Sequence, residues 1–318
     1  MSTQASLDAP PEWMNDVPPL ATLTDRFGNS FYFGNAGDFW FHPFRIGADN
    51  DFRTHVQDIR SMNIRDDDIM ICSYPKTGLH WNMEIVKMLM DGSANMDNEV
   101  EARRCFLDST RISSVSDRAS PRLLLTHVPF RWLPKQALEK KIKIIFLNRN
   151  PKDTLVSLYH HMHSHKVPLN YPGTFEQFFH LFLEVGYIYG DLFDYLMEWQ
   201  NGIEDNPDVP FYTCVFEEMK LNPEEGVKKL NQFLGTGCSE ELCEQIADAC
   251  NFTKMKQQKE STAPPIVNAL FKGNKIAFYR KGEVGDWKNW FTVAMNEQFD
   301  QEYNKRMSNY KTVYKYTL

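Results

Sequence analysis

A lysine in a short loop is the first candidate for chemistry in this sequence. Lys76 lies in the segment Tyr74-Pro-Lys-Thr-Gly78, between an apolar run that begins at Ile69 and a stretch whose apolar residues return at helical spacing from Leu79. A strand that leads through a tight loop into a helix presents loop amides and unpaired helix N–H groups to a phosphate, and the lysine adds positive charge. The segment therefore predicts an anion site, with a purely structural turn as the alternative.

The loop differs from the P-loop of nucleotide triphosphatases. That motif needs Gly-Lys followed by Ser or Thr, whose hydroxyl holds magnesium. Here Lys76 precedes Gly78, and the metal-binding hydroxyl after Gly-Lys is absent. The order favours a nucleotide that is bound by its 5′-phosphate without a metal bridge. A magnesium-dependent kinase is the less favoured alternative.

Two further groups of cations occur at positions suited to phosphate. Arg149 stands at another predicted junction of a strand and a helix, and Ser157 follows about two helical turns later. Arginine offers a bidentate donor to phosphate. In Arg280-Lys-Gly282, the glycine lets the backbone approach a ligand closely. Each group alone is typical of an ordinary surface, but together they predict a nucleotide with two separated phosphate positions.

Composition limits the partners that these cations can serve. The 318 residues carry a net charge of −7, so an anion must be held by a local cluster rather than by a basic surface of the kind that binds nucleic acid. Residues 1–20 lack the apolar core of a signal peptide and are predicted to form a flexible arm. No apolar run is long enough to span a membrane. The six cysteines show no paired spacing, which favours reduced thiols in a cytoplasmic protein.

Strands that alternate with helices must position these groups. Apolar runs predict buried strands, which are residues 69–74, 122–127, 143–148 and 211–216. Periodic segments predict helices, which are residues 51–62, a helix from 79, 152–163, 175–199, 222–234, 239–249 and 292–307. The rest is predicted as a hairpin around Gly28, loops over 91–117 and a mobile segment over 254–275. This alternation predicts a single α/β domain over 21–318, with a mostly parallel central sheet flanked by helices.

The chain from Asp51 onward resembles the cytosolic sulfotransferase family, which uses 3′-phosphoadenosine 5′-phosphosulfate (PAPS). The motifs that carry the resemblance are Tyr74-Pro-Lys-Thr-Gly78, Thr126-His127, Arg149-Asn-Pro-Lys-Asp153 with Ser157, and Arg280-Lys-Gly282 with Gly285-Asp-Trp-Lys-Asn289. The resemblance implies that the loop after the first strand of the central sheet is a P-loop-like phosphosulfate-binding loop. It also implies in-line transfer of a sulfonate to a hydroxyl or amine of a small molecule such as a phenol, sterol or alcohol.

Each residue that matches the family motifs acquires an expected role. The catalytic set is Lys76, which reaches the bridging oxygen of the donor, His127 as general base, and Ser157. An imidazole that titrates near neutral pH suits the role of the base. The loop amides hold the 5′-phosphate, the other cations hold the 3′-phosphate, and aromatic rings stack on adenine. The expected donor-binding residues are Lys76, Thr77, Gly78, Leu79, His80, Trp81, Arg149, Ser157, Phe216, Cys250, Phe252, Phe278, Arg280, Lys281 and Gly282.

Several positions depart from the family pattern. Leu79 and His80 stand where hydroxyl residues are usual, and Leu125 replaces a lysine. Phe216 replaces a tyrosine and Cys250 a threonine at the adenine site. Losing one charge-assisted hydrogen bond costs roughly 1.5–3 kcal/mol of donor binding. A nucleotide-binding homologue with impaired catalysis is therefore the alternative, although the intact catalytic set favours activity.

The acceptor pocket is expected to involve Phe106, His127 and His161, since these occupy matching positions of the family. For His161, an exposed polar helix end is the alternative. His161 and His165 share a helix face, as metal ligands often do. No acidic or cysteine partner accompanies them, and the family needs no metal, so no metal site is predicted. The aromatic stretch 38–44 is either a rim of the pocket or, more simply, core.

A short segment near the C-terminus matches the family's dimer motif Lys-x-x-x-Thr-Val-x-x-x-Glu. The matching residues are Lys288, Thr292, Val293 and Glu297. A self-complementary segment can pair across a two-fold axis, with Lys288 meeting the partner's Glu297. The motif predicts a homodimer, with a helix start that is capped within one monomer as the alternative.

Overall fold

The N-terminal part of the chain forms a small antiparallel sheet in the computed structural model, which describes residues 17–43, 46, 51–96, 101, 104–166, 170–276 and 278–317. Strand β1 (Ala21–Thr24) pairs with β2 (Ser30–Asn35) as the hairpin predicted around Gly28, and β2 also pairs with β3 (Trp40–Phe41). The predicted flexible arm lies mostly outside the described residues. Val17, near its end, is buried, so packed structure begins before β1.

Five further strands form the central sheet, which is entirely parallel and thus confirms the predicted fold class. They are β4 (Ile69–Ser73), β5 (Arg104–Phe106), β6 (Leu123–Thr126), β7 (Lys143–Asn148) and β8 (Phe211–Val215). Their order across the sheet is β5-β6-β4-β7-β8. β5 lies within the stretch predicted as loops, because three residues are too few to show a strand pattern in the sequence.

The order of the strands places a crevice beside β4. From this central strand the chain first builds β5 and β6 on one side and then β7 and β8 on the other. Ile69 pairs with both Leu123 and Lys143, so the three middle strands start at the same level of the sheet and end at the same edge. Ligands of open parallel sheets bind beyond the carboxyl ends of strands, at the point where the direction of winding reverses. The loops that follow β4, β6 and β7 all meet there.

Helices cover both faces of this sheet. They are α1 (Phe52–Ser61), α2 (Leu79–Asp91), α3 (Lys135–Glu139), α4 (Pro151–Ser164), α5 (Phe175–Glu184), α6 (Leu192–Asp205), α7 (Phe216–Leu221), α8 (Pro223–Leu234), α9 (Glu240–Ala249), α10 (Phe252–Thr262), α11 (Pro265–Asn268) and α12 (Val293–Arg306). Among the described residues, no helix has the length and apolar character needed to cross a bilayer. None of the six cysteines forms a disulfide, as predicted.

Alternate residues of the central strands belong to two separate cores. Met70 and Cys72 of β4 pack with helices α4, α5 and α6, whereas Ile69 and Ile71 pack with α2, α8 and α9. Successive side chains of a strand point to opposite faces, so a strand that is covered on both sides must be apolar throughout. Every residue of β4 is buried, which explains the uninterrupted apolar run in the sequence.

The single helix predicted over 175–199 is wrong, because α5 and α6 are separate. Gly186 and Gly190 between them adopt positive φ angles of 78° and 91°, and Tyr189 adopts 63°. The Tyr189 amide donates to the Trp40 carbonyl at 2.7 Å, so β3 fixes this break from outside the helical segment. The apolar periodicity of the sequence continues across the break, which hides it.

The segment 254–275, predicted to be mobile, contains α11 and most of α10. It is tied to the end of α4, since the Lys166 amide donates to the Leu270 carbonyl at 2.9 Å and His165 forms a bridge with Phe271. Its polar composition reflects exposed helix faces rather than the lack of regular structure. The segment therefore closes one side of the crevice.

Candidate active site at the carboxyl edge of the sheet

A cavity of about 430 Å³ lies beyond the carboxyl ends of β4, β6 and β7. This volume is typical of a site for a small molecule or cofactor. The predicted site residues that line it are Lys76, Gly78, Leu79, His80, Trp81, Phe106, His127, Arg149, Ser157, His161, Phe216, Phe252, Phe278, Arg280, Lys281 and Gly282. Residues from distant parts of the sequence thus meet in one space. Thr77 and Cys250 are the two predicted residues whose side chains do not reach it.

The loop after β4 is shaped to place Lys76 and the start of α2. Lys76 adopts a φ of 73° and Gly78 a φ of 107°. The Thr77 hydroxyl, which is buried, donates to the Tyr74 carbonyl at 2.8 Å and so closes the turn beneath the loop. Gly78 is the N-cap of α2 and supplies no side-chain cap. The N–H groups of the first turn are therefore available to an anion.

Three cationic side chains converge on this loop. Burial, followed by the charges of Arg149 and Arg280, lowers the pKa of Lys76 to about 7. The Arg149 guanidinium is 8% exposed and donates to the carbonyls of Lys76 and Glu283, each at 3.1 Å. Its Nε is buried without a hydrogen-bond partner among the described residues. Such mutual repulsion is relieved by a polyanion, so the arrangement fits phosphate groups.

The cationic motif Arg280-Lys-Gly282 is held in place by a buried carboxylate. Asp286 forms ion pairs with Arg280 and Lys281, each at 2.5 Å. Burial raises the pKa of Asp286, but hydrogen bonds from Lys281, Asn289 and Arg280 lower it to about 2. A side chain at Gly282 would place its Cβ 2.2 Å from the Phe252 ring. The glycine therefore lets the two cations and this aromatic ring lie side by side.

An aromatic pocket lies next to the cations. Trp81 and Phe216 pack edge to face with their ring centroids 5.4 Å apart, and Arg149 stacks over Phe216 at 4.4 Å. The Trp81 indole N–H donates to the Cys250 carbonyl at 2.9 Å, while the Cys250 thiol is buried against Met88. Cys250 therefore positions Trp81 through its backbone. Flat apolar rings beside phosphate-binding groups are suited to a nucleotide base.

His127 follows β6 and is held in one tautomer. Its Nδ1 lies 2.6 Å from the Ser73 carbonyl, an acceptor only, so Nδ1 carries the proton and Nε2 keeps its lone pair. Burial lowers the pKa of His127 to about 4, with a further contribution from the charge of Lys76, against the opposing effect of the bond to Ser73. The ring lines the cavity and is neutral at pH 7. This is the state required of a general base.

Asp108, which the sequence analysis missed, holds the end of β6 behind His127. Its carboxylate accepts from the Thr126 hydroxyl at 2.6 Å, from the His127 amide at 3.1 Å and from the Tyr189 hydroxyl at 2.6 Å. Burial raises the pKa of Asp108 to about 6, and these hydrogen bonds oppose the rise. The group lies in the stretch predicted as loops, two residues after Phe106. A carboxylate so close to an expected pocket residue was the one available signal.

The wall of the cavity around His161, which is the expected acceptor side, contains two histidines that the sequence analysis did not place there. His161 is present as expected, and His42 and His165 line the same wall. His165 is the C-cap of α4 and His42 follows β3. His165 is 3% exposed, so the end of α4 is buried at this residue. Part of the aromatic stretch 38–44 thus belongs to the pocket wall, since His42 and Pro43 line the cavity.

The chain matches the sulfotransferase domain family over residues 66–311. It is 37% identical to sulfotransferase 1B1 of Mus musculus over 252 residues, which are 76% of this chain and 83% of that protein. It is 33% identical to sulfotransferase 1C2 of Homo sapiens over 262 residues, which are 78% and 86% of the two chains.

Solved structures show the same likeness. The mouse sulfotransferase SULT7A1 complexed with PAP superposes with a TM-score of 0.66 at 28% identity, covering 91% of this chain and 95% of that chain. A retinol dehydratase in complex with androsterone and PAP superposes with a TM-score of 0.69 at 20% identity, over 93% and 92% of the two chains. The second likeness concerns the fold alone.

Proposed function

The chain belongs to the sulfotransferase family, and from this we propose that it transfers a sulfonate from PAPS to a hydroxyl or amine of a small-molecule acceptor. The observation that carries the proposal is the pairing of two groups in one cavity. His127 directs Nε2 into the space that Lys76 and the uncapped start of α2 also face. A neutral base and a phosphate-binding loop at the same edge of the sheet are what in-line transfer from a nucleotide donor needs.

In this proposal, the cations and the aromatic rings bind different parts of the donor. The amides of residues 77–81 at the start of α2 are placed to receive the 5′-phosphate, as the N-terminus of a helix favours negative charge. Arg149, Ser157 and Arg280-Lys-Gly282, which line the same cavity, supply the 3′-phosphate site. The adenine then stacks among the rings of Trp81, Phe216 and Phe252. Mouse SULT7A1, which binds PAP in its structure, supports a nucleotide of this type as the ligand.

The mechanism follows from the protonation states of two residues. His127 Nε2 accepts the proton of the acceptor hydroxyl as that oxygen attacks sulfur, and the new S–O bond forms while the bond from sulfur to the bridging oxygen breaks. Lys76 neutralises the charge that develops on the departing 5′-phosphate. Positioning and charge stabilisation supply most of the rate in such transfers, so rigid placement of both groups matters more than their intrinsic strength.

The acceptor wall favours a largely apolar small molecule. Phe106 packs edge to face on His127 at 5.3 Å, and the Tyr189 ring lies at the same distance from His127. Ile188, Leu270 and Phe271 extend this lining. A phenol, sterol or alcohol can place its hydroxyl at Nε2 while its apolar body contacts these rings.

The test combines donor binding with turnover. Labelled PAPS is offered with a panel of phenols, sterols, aliphatic alcohols and amines, and the affinity for PAP is measured by calorimetry. We expect transfer to at least one acceptor class and PAP binding at one site per chain. Tight PAP binding without transfer to any acceptor would instead support a nucleotide-binding homologue with impaired catalysis, for which Leu125 in the cavity wall is the relevant departure.

We also propose that the protein is a homodimer through Lys288, Thr292, Val293 and Glu297. All four side chains are exposed, and Val293 is 77% exposed at the first residue of α12. Thr292 accepts a hydrogen bond from the Met295 amide at 3.2 Å, so it caps α12 within the monomer and leaves its neighbours for a partner.

Light scattering tests the dimer. Val293→Glu should halve the mass of the particle, because it places like charges across the two-fold axis. The control is Val313→Glu, which alters a valine that is 84% exposed and lies outside the motif. A monomeric unmodified protein, or an unchanged mass in the Val293 variant, would contradict the proposal.

A further inference from the structure

Three histidines from two separate parts of the chain converge at the acceptor side of the cavity. His42, His161 and His165 each offer a ring nitrogen, and these nitrogens lie within 4.8 Å of one another. The ring centroids of His161 and His165 are 4.6 Å apart, and those of His42 and His165 are 5.7 Å apart. We propose that these three side chains bind a zinc ion whose fourth coordination position opens into the acceptor cavity.

The composition of the cluster suits zinc rather than a hard cation. Three imidazoles without a carboxylate favour zinc and its transition-metal neighbours over magnesium or calcium, which prefer oxygen. Zn–N bonds of about 2.0–2.1 Å in a tetrahedron place the nitrogens about 3.3 Å apart. Rotation of side chains within the present backbone must therefore bring the nitrogens closer by at most roughly 1.5 Å. Three protein ligands with one open position are typical of catalytic rather than structural zinc sites.

The hydrogen bonds around the cluster leave suitable nitrogens for the ion. His165 Nδ1 lies 2.7 Å from the His161 carbonyl and must donate to it, which leaves the Nε2 lone pair. A hydrogen bond from the second ring nitrogen to a backbone carbonyl is a common outer contact of metal-binding histidines. His161 Nδ1 is buried and has no hydrogen-bond partner among the described residues. A metal would satisfy this nitrogen.

The charge of Lys76 affects the conditions for metal binding. Burial is the main cause of the lowered pKa values of all three histidines, and the charge of Lys76 lowers those of His161 and His165 further. The rings are thus neutral, the form that binds metals, but Lys76 opposes a cation. The phosphates of a bound nucleotide would offset that lysine. Metal binding should therefore be tighter in the complex with PAP than in the free protein.

The position of the site indicates a role in choosing the acceptor, an inference that rests on the proposed function. The cluster and His127 line one cavity. A second oxygen or nitrogen of the acceptor, remote from the reacting hydroxyl, would occupy the fourth position of the zinc. Acceptors with two polar ends would then bind better than those with one.

Cobalt titration tests the site independently of sulfonyl transfer. Full-length protein without an affinity tag is titrated with Co²⁺, with and without PAP, and its visible absorption is followed because tetrahedral Co²⁺ absorbs strongly. We expect one ion per chain, displaced by Zn²⁺. His161→Phe and His165→Phe should each weaken cobalt binding at least about tenfold, because they remove a ligand while keeping a ring of similar size beside Phe271.

A neighbouring histidine provides the matched control. His160→Phe lies on the same helix, but its ring packs on Trp290 at a centroid distance of 4.2 Å, away from the cluster. This variant should bind cobalt like the unmodified protein. A thermal shift with PAP shows that each variant is folded.

The outcomes separate the zinc site from the proposed function. Absence of stoichiometric binding under both conditions, or equal losses in the cluster and control variants, would overturn the zinc site. Cobalt binding without any PAP binding would keep the site and remove the function.

Discussion

The donor and acceptor sides of the cavity are built by different means. On the donor side, Lys76 and Arg149 each follow a parallel strand within three residues, and the start of α2 completes the site. On the acceptor side, His42, Tyr189 and Phe271 come from an N-terminal strand end, a break between two helices and a segment after α11. Groups at strand ends are fixed in position by the hydrogen-bonded sheet. Groups on irregular segments depend on separate contacts between those segments, so the loss of one supporting contact should have a limited effect.

The largest effect on activity is expected at His127, where the donor and acceptor sides meet. His127→Ala removes the proposed base, so kcat should fall by about 10²–10⁴-fold. The affinity for PAP should stay within about twofold, because no phosphate contact is assigned to the ring. Turnover with labelled PAPS and calorimetry with PAP measure the two quantities. His160→Ala serves as control, and activity within tenfold of the unmodified protein would remove His127 from its role.

A hydroxyl introduced into the loop should increase the affinity of the donor side for PAP. Leu79→Ser offers the 5′-phosphate one charge-assisted hydrogen bond, which is worth about 1.5–3 kcal/mol, or roughly 10–100-fold in affinity. Leu79 is buried at the start of α2, so the comparison must be with Leu79→Ala, which loses the same packing without the hydroxyl. Calorimetry with PAP should rank the serine variant above the alanine variant. Equal affinities would show that the phosphate does not reach this position.

The donor side should also carry a pH dependence that the acceptor side lacks. The Lys76 pKa of about 7 in the free protein means that the ammonium loses its proton as the pH rises through neutrality. Because PAP binds the charged form, its affinity should fall above pH 7 by up to about tenfold per pH unit. Calorimetry between pH 6 and 9 measures this slope, and Lys76→Met should abolish it. The His127 pKa of about 4 predicts loss of activity only as the pH falls toward that value.

The smallest effect is expected from the supports of the acceptor side. Tyr189→Phe removes one of the hydrogen bonds that Asp108 accepts in a buried place, at a cost of about 1–3 kcal/mol in the free energy of unfolding. It should also lower kcat more than it changes PAP affinity, since Asp108 positions the His127 backbone. Urea denaturation and turnover measure both effects. The control, Tyr32→Phe on the N-terminal hairpin, should be near neutral, and an equal loss there would weaken the comparison.

Much of the central sheet and the donor side could be predicted from local patterns. Strands buried on both faces must be apolar throughout, so β4, β6 and β7 are recognisable as short apolar runs, and Pro151 fits the first turn of α4. β8 is only partly buried at the edge of the sheet, but its run of residues 211–216 still predicts a strand. The wrong predictions occur where local sequence patterns do not record the structure. The separation of α5 from α6 depends on a bond from Tyr189 to Trp40, which no local pattern records. The helices within 254–275 have mostly polar faces, and for this reason the sequence predicts a mobile segment there.

The amino-acid sequence by itself determined the fold class, the strand, loop and helix around Lys76 and the order of the cationic motifs. These depend on neighbours within one strand, loop and helix turn, where covalent geometry and burial leave few alternatives. The tertiary structure alone decided the tautomer of His127, its support by Asp108 and the meeting of His42 with His161 and His165. Those features join residues that are far apart in the chain. Their distances follow from packing of whole elements, and no pattern within a short stretch of sequence encodes them.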